Sequence, residues 1–188
     1  MKQAEIIKKM SDDELRRQLL LSQSILFFIS IILSFFFFSH FTDWFQYFIF
    51  DFKQIFLYGV LTGLGVVIFE LILYIFVPKR HFDDGGINEK IFKNQSVFHI
   101  LIISIVVAIS EEFLFRGVVQ TTFGYIFASS LFVIVHFRYL KKPFLLIITI
   151  IVSFFIGYLF ELTQNLLVTI AFHFIVDFLL GLLIRFKK

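Results

Sequence analysis

Six long apolar stretches dominate the pattern of hydrophobic and polar positions along this 188-residue chain. They cover residues 19–40, 55–77, 97–121, 124–140, 144–162 and 166–185. A helix needs about 20 mostly apolar residues to cross a lipid bilayer. The stretches are joined by brief connections, apart from a longer charged one at 78–96. The pattern therefore predicts an all-α fold, a polytopic transmembrane helix bundle of about six spans.

The composition supports a membrane protein and excludes several other classes. Apolar residues make up 59% of the chain, whereas soluble domains average about 45–50%. The chain has no cysteine, which excludes disulfides, thiolate nucleophiles and cysteine metal sites. The net charge of +3 does not indicate a nucleic-acid partner, because Lys and Arg in a membrane protein report its topology first. We expect the lipid bilayer as a partner and no nucleic acid.

The basic residues alternate between the two sides of the predicted bundle. They cluster in the N-terminal segment (Lys2, Lys8, Lys9, Arg16, Arg17), the 78–96 connection (Lys79, Arg80, Lys90, Lys93), the next connection on the same side (Arg138, Lys141, Lys142) and the tail (Arg185, Lys187, Lys188). The opposite connections contain only Lys53. Since cytoplasmic loops are enriched in Lys and Arg, we expect six spans with both termini in the cytoplasm. The predicted location is a cell membrane, that of a bacterium.

Two local signals mark helix ends and helix contacts in the N-terminal half. Ser11 and Glu14 have the spacing of a capping box, which predicts that the first helix begins there and continues into the membrane as a retained signal anchor. Gly59 and Gly63 form a GxxxG pair in the second span. Such pairs allow two helix backbones to approach closely, so we expect this face to pack against another helix.

Ionisable residues inside spans are rare and mark functional sites by default. On the third span, Glu112 and Arg116 are four residues apart, so they share a helix face and can form an ion pair. Glu111 is rotated by about 100° around the helix axis. It cannot share Arg116 equally well, and we expect this carboxylate to be available for chemistry. Glu70 is a further carboxylate in a span.

Histidines on two later spans complete a candidate site. His173 lies four residues before Asp177, and Phe132 lies four residues before His136. If the chain turns at Gly124, Glu111 and His136 are equally far from that turn and lie level on antiparallel helices. One carboxylate and two imidazoles in a dry site are sufficient to activate water, with or without a metal.

Three motifs in order carry a family resemblance: "EEFLFR" at 111–116, "FVIVH" at 132–136 and "HFIVD" at 173–177. Together they resemble the CPBP family of intramembrane proteases, which includes the CAAX prenyl endopeptidases and bacteriocin-processing or immunity proteins. The resemblance covers roughly residues 97–185. It divides the chain into an N-terminal segment with two supporting spans and a cytoplasmic loop (1–96) and a CPBP-like catalytic core (97–188).

The resemblance implies hydrolysis of a peptide bond within the membrane. By matching position, Glu111 would activate the attacking water together with His136. His173 and Asp177 would stabilise the oxyanion or complete the site. The implied substrate is a membrane-associated protein or peptide, either a CAAX-type prenylated tail or a leader or bacteriocin peptide.

The remaining motif positions have supporting roles in this resemblance. Glu112 and Arg116 would hold the first motif in place, and Phe132 belongs to the second. At position 177 the family often has Asn, whereas this chain has Asp177. An ionised Asp cannot donate a hydrogen bond to an oxyanion, so this side chain must be protonated, orient His173 or lie near a cation.

Two questions stay open at the level of sequence. Glu111, His136 and His173 could hold a divalent metal such as zinc with an open position for water, as in a metalloprotease, or could act without a metal as in a glutamic protease. The same residues could instead form a structural polar network in a membrane immunity or accessory protein without catalytic activity. The protease hypothesis requires all three side chains to face one cavity.

Overall fold

The computed structural model describes residues 10–187, and this part of the chain is helical without a β-strand. Seven helices follow one another: α1 (Asp12–Phe37), α2 (Phe52–Phe76), α3 (Ile87–Phe92), α4 (Val97–Phe123), α5 (Tyr125–Val135), α6 (Pro143–Thr163) and α7 (Leu166–Phe186). Short 3₁₀ turns lie between them at Phe41–Tyr47, Lys79–Phe82 and Phe137–Tyr139. The predicted all-α membrane bundle is confirmed. Of the basic residues that predicted the topology, Lys2, Lys8, Lys9 and Lys188 lie outside the described residues.

Within the described range, five helices are long and apolar enough to cross a membrane: α1, α2, α4, α6 and α7. The predicted fourth span, 124–140, is wrong in its extent, because α5 has 11 residues and ends at Val135. The cause lies in the next residue. The ring Nδ1 of His136 is 2.8 Å from the carbonyl oxygen of Phe132, the acceptor that the His136 backbone N–H would use in a continuing helix. The helix therefore ends in a 3₁₀ turn.

The predicted signals at the start of α1 and at the α4–α5 turn are both confirmed. Ser11 accepts a hydrogen bond from the Glu14 backbone, and its own backbone N–H donates to the Glu14 carboxylate at 2.8 Å. Gly124 separates α4 from α5 with a φ of +87°, a conformation that glycine adopts without steric cost. The two helices consequently pack side by side as a hairpin, which brings "FVIVH" back beside "EEFLFR".

The GxxxG pair packs α2 against α7, as predicted. A Cβ atom on Gly59 would lie 2.8 Å from the carbonyl oxygen of Val168, and one on Gly63 would lie 3.1 Å from that of Phe172. Only glycine permits such close contact between the two backbones. This contact fixes the position of α7 at the level of His173.

The helix α4 lies at the centre of the bundle. Its second half, Phe113–Gln120, is π-helical, a local widening that is frequent at functional sites. Leu114 and Phe115 pack against Phe132 of α5 and against Leu26 and Leu33 of α1. The charged residues of the first motif are therefore surrounded by protein rather than by lipid.

Candidate active site

The first motif forms the predicted ion pair in the interior of the bundle. The Nε of Arg116 is 3.4 Å from the Oε2 of Glu112, and both side chains are fully buried. The Nη2 of Arg116 also donates to the backbone carbonyl of Ser153 on α6, at 3.2 Å. Pairing and hydrogen bonding lower the cost of a buried charge, and the bond from Arg116 to Ser153 links α4 to α6.

A second contact of Glu112 was missed in the sequence analysis. Its Oε1 is 2.9 Å from the Nδ1 of His173 on α7, so Glu112 joins Arg116 to a candidate catalytic residue. Glu112 therefore has two partners, Arg116 on its own helix and His173 on α7. The spacing of residues along α4 shows which face of that helix carries Glu112, whereas this contact depends on where α7 packs.

The opposite nitrogen of His173 faces two further carboxylates. Its Nε2 is 3.9 Å from the Oε2 of Glu111 and 3.6 Å from the Oδ2 of Asp177. Because an ionised Glu112 can only accept, the Nδ1 of His173 carries a proton and donates. The Nε2 is therefore the nitrogen that is left for a water or a substrate, and Asp177 lies beside it on the same helix.

Phe132 connects the second histidine to the buried arginine. The rings of Phe132 and His136 are stacked, with their centroids 4.5 Å apart, and the Arg116 guanidinium lies 5.2 Å from the centre of the Phe132 ring. The backbone carbonyl of Phe132 can only accept, so the Nδ1 of His136 donates to it, and in a neutral ring this is the protonated nitrogen. The Nε2 of His136 then carries the free lone pair.

One cavity of about 910 Å³ is lined by Glu111, His136, His173 and Asp177. Its walls are largely apolar and include side chains of α2, α4, α6 and α7. Toward the 78–96 connection the lining becomes polar and carries charges of both signs. There a 2.5 Å hydrogen bond from Lys93 lowers the pKa of the Glu89 carboxyl. The cavity thus joins an apolar chamber with the candidate residues to a charged mouth.

Gln23, a residue that the motifs do not include, lies on α1 and contacts Glu111 directly. Its Nε2 donates to the Oε1 of Glu111 at 2.9 Å, and the Gln23 side chain is buried. The available signal was a single amide in the apolar stretch "LLLSQSILFF". An uncharged amide in a span is costly unless it is hydrogen-bonded, so its presence there indicates a polar partner on another helix.

The arrangement of these side chains does not fit a metal ion. Among residues 10–187, no group of three or more His, Asp or Glu side chains is placed so that it could hold one. Glu111 already accepts from Gln23, and Glu112 lies between Arg116 and His173. The donor atoms therefore face each other and their partners instead of a common point.

Comparisons with known proteins agree with the motifs. The family model described as type II CAAX prenyl endopeptidase Rce1-like matches residues 93–179, a region that contains all three motifs. The uncharacterized protein YpbD of Bacillus subtilis (strain 168) is 42% identical over 130 residues, which is 69% of this chain and 69% of that protein. No solved structure matches the chain.

Proposed function

Because the chain belongs to the type II CAAX prenyl endopeptidase Rce1-like family, we propose that it is an intramembrane endopeptidase in which Glu111 activates the attacking water. The family is one of proteases, and the apolar helices make the chain a multi-pass membrane protein. The observation that carries the proposal is the pair of atoms Glu111 Oε2 and His173 Nε2, 3.9 Å apart at the wall of a cavity that His136 also lines.

This separation suits a bridging water. It is too long for a direct hydrogen bond, and polar atoms at such a distance are commonly joined by a water molecule. The proposed nucleophile donates one hydrogen to the Oε2 of Glu111. Its oxygen accepts from the Nε2–H of the His173 imidazolium, and its other hydrogen is directed to the lone pair on the Nε2 of His136, which leaves a lone pair of the water oxygen for the substrate.

The proposed reaction then follows ordinary general acid–base catalysis. The water oxygen attacks the carbonyl carbon of the scissile peptide bond while its proton passes to Glu111. The tetrahedral intermediate collapses when the carbon–nitrogen bond breaks and Glu111 returns the proton to the leaving amine. The products are a new carboxyl terminus and a new amino terminus, and Glu111 is ionised again.

His173 and Asp177 are assigned to the oxyanion and its support. The Nδ1 of His173 already donates to Glu112, so this ring donates from Nε2 to an oxyanion only as an imidazolium. The carboxylate of Asp177, 3.6 Å from that nitrogen, favours this charged form. We therefore propose that Asp177 orients and charges His173 and does not itself donate to the oxyanion.

The proposed substrate is a membrane-associated peptide, of the CAAX type or a leader or bacteriocin peptide, in a bacterial plasma membrane. The apolar chamber suits an apolar or lipid-modified segment, and the charged mouth suits the polar part of the same peptide. Because the 78–96 connection is rich in Lys and Arg, we propose that this mouth and both termini lie on the cytoplasmic side. We further propose that residues 97–188 form the catalytic core and that 1–96 supports it.

The test compares the chain with its Glu111→Gln variant. Each is expressed in a bacterial host, and new N-termini of membrane proteins are identified by mass spectrometry. In parallel, each purified protein in detergent is given a fluorogenic peptide that ends in a farnesylated CAAX sequence. We expect cleavage to fall by about 10²–10⁴-fold, as for loss of a general base, without loss of accumulated protein.

Two results of this comparison would change the proposal. If the host produces the same new N-termini with both proteins and no peptide cleavage depends on Glu111, the enzymatic assignment is wrong and a polar packing network remains. If cleavage depends on Glu111 but is abolished by a zinc chelator and restored by zinc, the water is activated by a metal that the present side-chain arrangement does not accommodate.

A further inference from the structure

We infer that Gln23 of α1 is a positioning residue for the proposed reaction: it holds one oxygen of Glu111 so that the other faces the water. This inference rests on the proposed function. Gln23 lies outside residues 93–179, the region that the family model matches. It therefore gives a specific role in the site to a helix that otherwise supports the core.

The first argument is the division of the two Glu111 oxygens. Oε1 accepts from the Nε2 of Gln23 at 2.9 Å, and Oε2 lies 3.9 Å from the Nε2 of His173. A carboxylate that turned freely about its last bond would move both oxygens away from these positions. The hydrogen bond to Gln23 opposes this rotation, and it keeps Oε2 at the place where the proton of the water is taken up.

The second argument is that packing fixes Gln23 on both sides along α1. Four residues earlier, Leu19 packs against a buried cluster that includes Ile103 and Val107 of α4. Four residues later, the ring of Phe27 lies 5.3 Å from that of Phe113 on α4. All three side chains lie on one helix face, so the amide is held at the level of Glu111 with little freedom to slide or turn.

The third argument is the energetic cost of an amide at this position. The side chain of Gln23 is 5% exposed, and its Oε1 has no hydrogen-bond partner among the described residues. An apolar side chain of the same length would fill the space without burying an unmade hydrogen bond. Packing alone does not explain Gln23, whereas the donor that it directs at Glu111 does.

The test is the Gln23→Met variant, which keeps the length and volume of the side chain but removes the donor. With the farnesylated fluorogenic peptide, or with the Glu111-dependent cleavages found in the host, we expect kcat to fall about ten- to a hundredfold, as for a misplaced catalytic group. We expect KM to change by less than about threefold, because Gln23 is assigned to orienting a carboxylate and not to binding the peptide.

Ser30→Ala on the same helix is the matched control. Ser30 is also fully buried, but its hydroxyl donates to the carbonyl of Phe27 within α1 and does not reach the site. We expect kcat and KM of this variant to equal those of the unchanged chain. A fall in kcat equal to that of Gln23→Met would mean that any polar loss in α1 disturbs the site, and the inference would be overturned.

A double-mutant cycle tests the contact without relying on activity. Thermal unfolding in detergent is followed for Gln23→Met, for Glu111→Leu, which removes the acceptor, and for the double variant, and we expect the double variant to lose less than the sum of the single changes. The positioning role would be overturned if the stability losses are additive. It would also be overturned if they are coupled but kcat of Gln23→Met is unaltered. If Glu111→Gln itself leaves cleavage unaltered, the proposed function fails instead, and the cycle still reports the contact.

Discussion

The helices α1 and α4 have nearly the same length and apolarity but very different surroundings. They have 26 and 27 residues with mean hydropathies of 2.3 and 2.1, yet 17% of the most apolar window is buried in α1 and 44% in α4. On α1, Phe28, Phe35 and Phe36 are 63–77% exposed, as expected for side chains that face lipid. On α4, two glutamates and an arginine are buried.

A helix in this bundle can carry charged residues where other helices supply hydrogen-bond donors and acceptors to them. Each charged group of α4 meets a partner from another part of the bundle: Arg116 meets Ser153, Glu112 meets His173, and Glu111 meets Gln23. The only α1 side chain in this network is Gln23, on the face that packs against α4. Hydropathy averages over all faces of a helix and cannot distinguish these cases.

The largest effect on stability is expected when α4 loses its ion pair. Glu112→Gln leaves the fully buried Arg116 without its counter-charge, and breaking a buried pair typically costs about 3–5 kcal/mol. We expect a clear fall in the melting temperature in detergent and in the amount of protein in the membrane. Ser30→Ala removes a buried hydroxyl from α1 and should change the melting temperature and the amount of protein by much less.

If Glu112→Gln and Ser30→Ala lower the melting temperature equally, the difference between α4 and α1 described above is contradicted. Glu111→Gln gives a further control within α4, since the neutral amide can keep one hydrogen bond with Gln23. It should retain the melting temperature while it loses activity. A variant that loses both would show that Glu111 is mainly structural.

A smaller loss of stability is expected at the contact between α2 and α7. Gly59→Ala on α2 places a methyl group 2.8 Å from the carbonyl oxygen of Val168, and overpacking of this kind costs about 1–3 kcal/mol. We expect a lower melting temperature and weaker activity, because α7 carries His173. Thermal unfolding and cleavage of the farnesylated peptide measure the two effects.

Gly65→Ala is the matched control on the same helix. A Cβ atom at Gly65 meets nothing within 4 Å, and alanine favours a helix over glycine by up to about 1 kcal/mol. This variant should therefore be as stable as the unchanged chain or slightly more so. If both alanine variants behave alike, close contact between α2 and α7 does not position the site.

The smallest effect is expected at the edge of the polar network, for Asp177→Asn. Asparagine loses the charge that favours the imidazolium of His173, but it keeps an oxygen that can face this ring and adds an amide donor that can reach the oxyanion. The two changes oppose each other, so kcat should change by no more than about fivefold, the effect of one ordinary hydrogen bond. Asp177→Leu has neither an oxygen nor a donor at this position, and it should lower kcat by about tenfold or more, as expected for the loss of a hydrogen bond to a charged group. Equal kcat values in the two variants would contradict an orienting role for Asp177.

Much of the fold could be predicted from the sequence because its signals are local. A run of apolar residues predicts a spanning helix wherever it packs, and the capping box of Ser11 and the turn at Gly124 each depend on a few neighbouring residues. The family followed from three motifs in order. The end of α5 was missed, because the ring of His136 takes a backbone acceptor that apolar content alone assigns to a longer helix.

The contacts between motifs show where the sequence stops and the tertiary structure decides. The sequence by itself determined the helices, the Glu112–Arg116 and His173–Asp177 pairs and the family, since all of these depend on spacing along one helix or on the order of residues. Only the packing of α1 and α7 against α4 decided that Gln23 holds Glu111 and that Glu112 holds His173. These contacts join residues 88 and 61 positions apart, and no periodicity within a single helix encodes the rotation and depth of its neighbour.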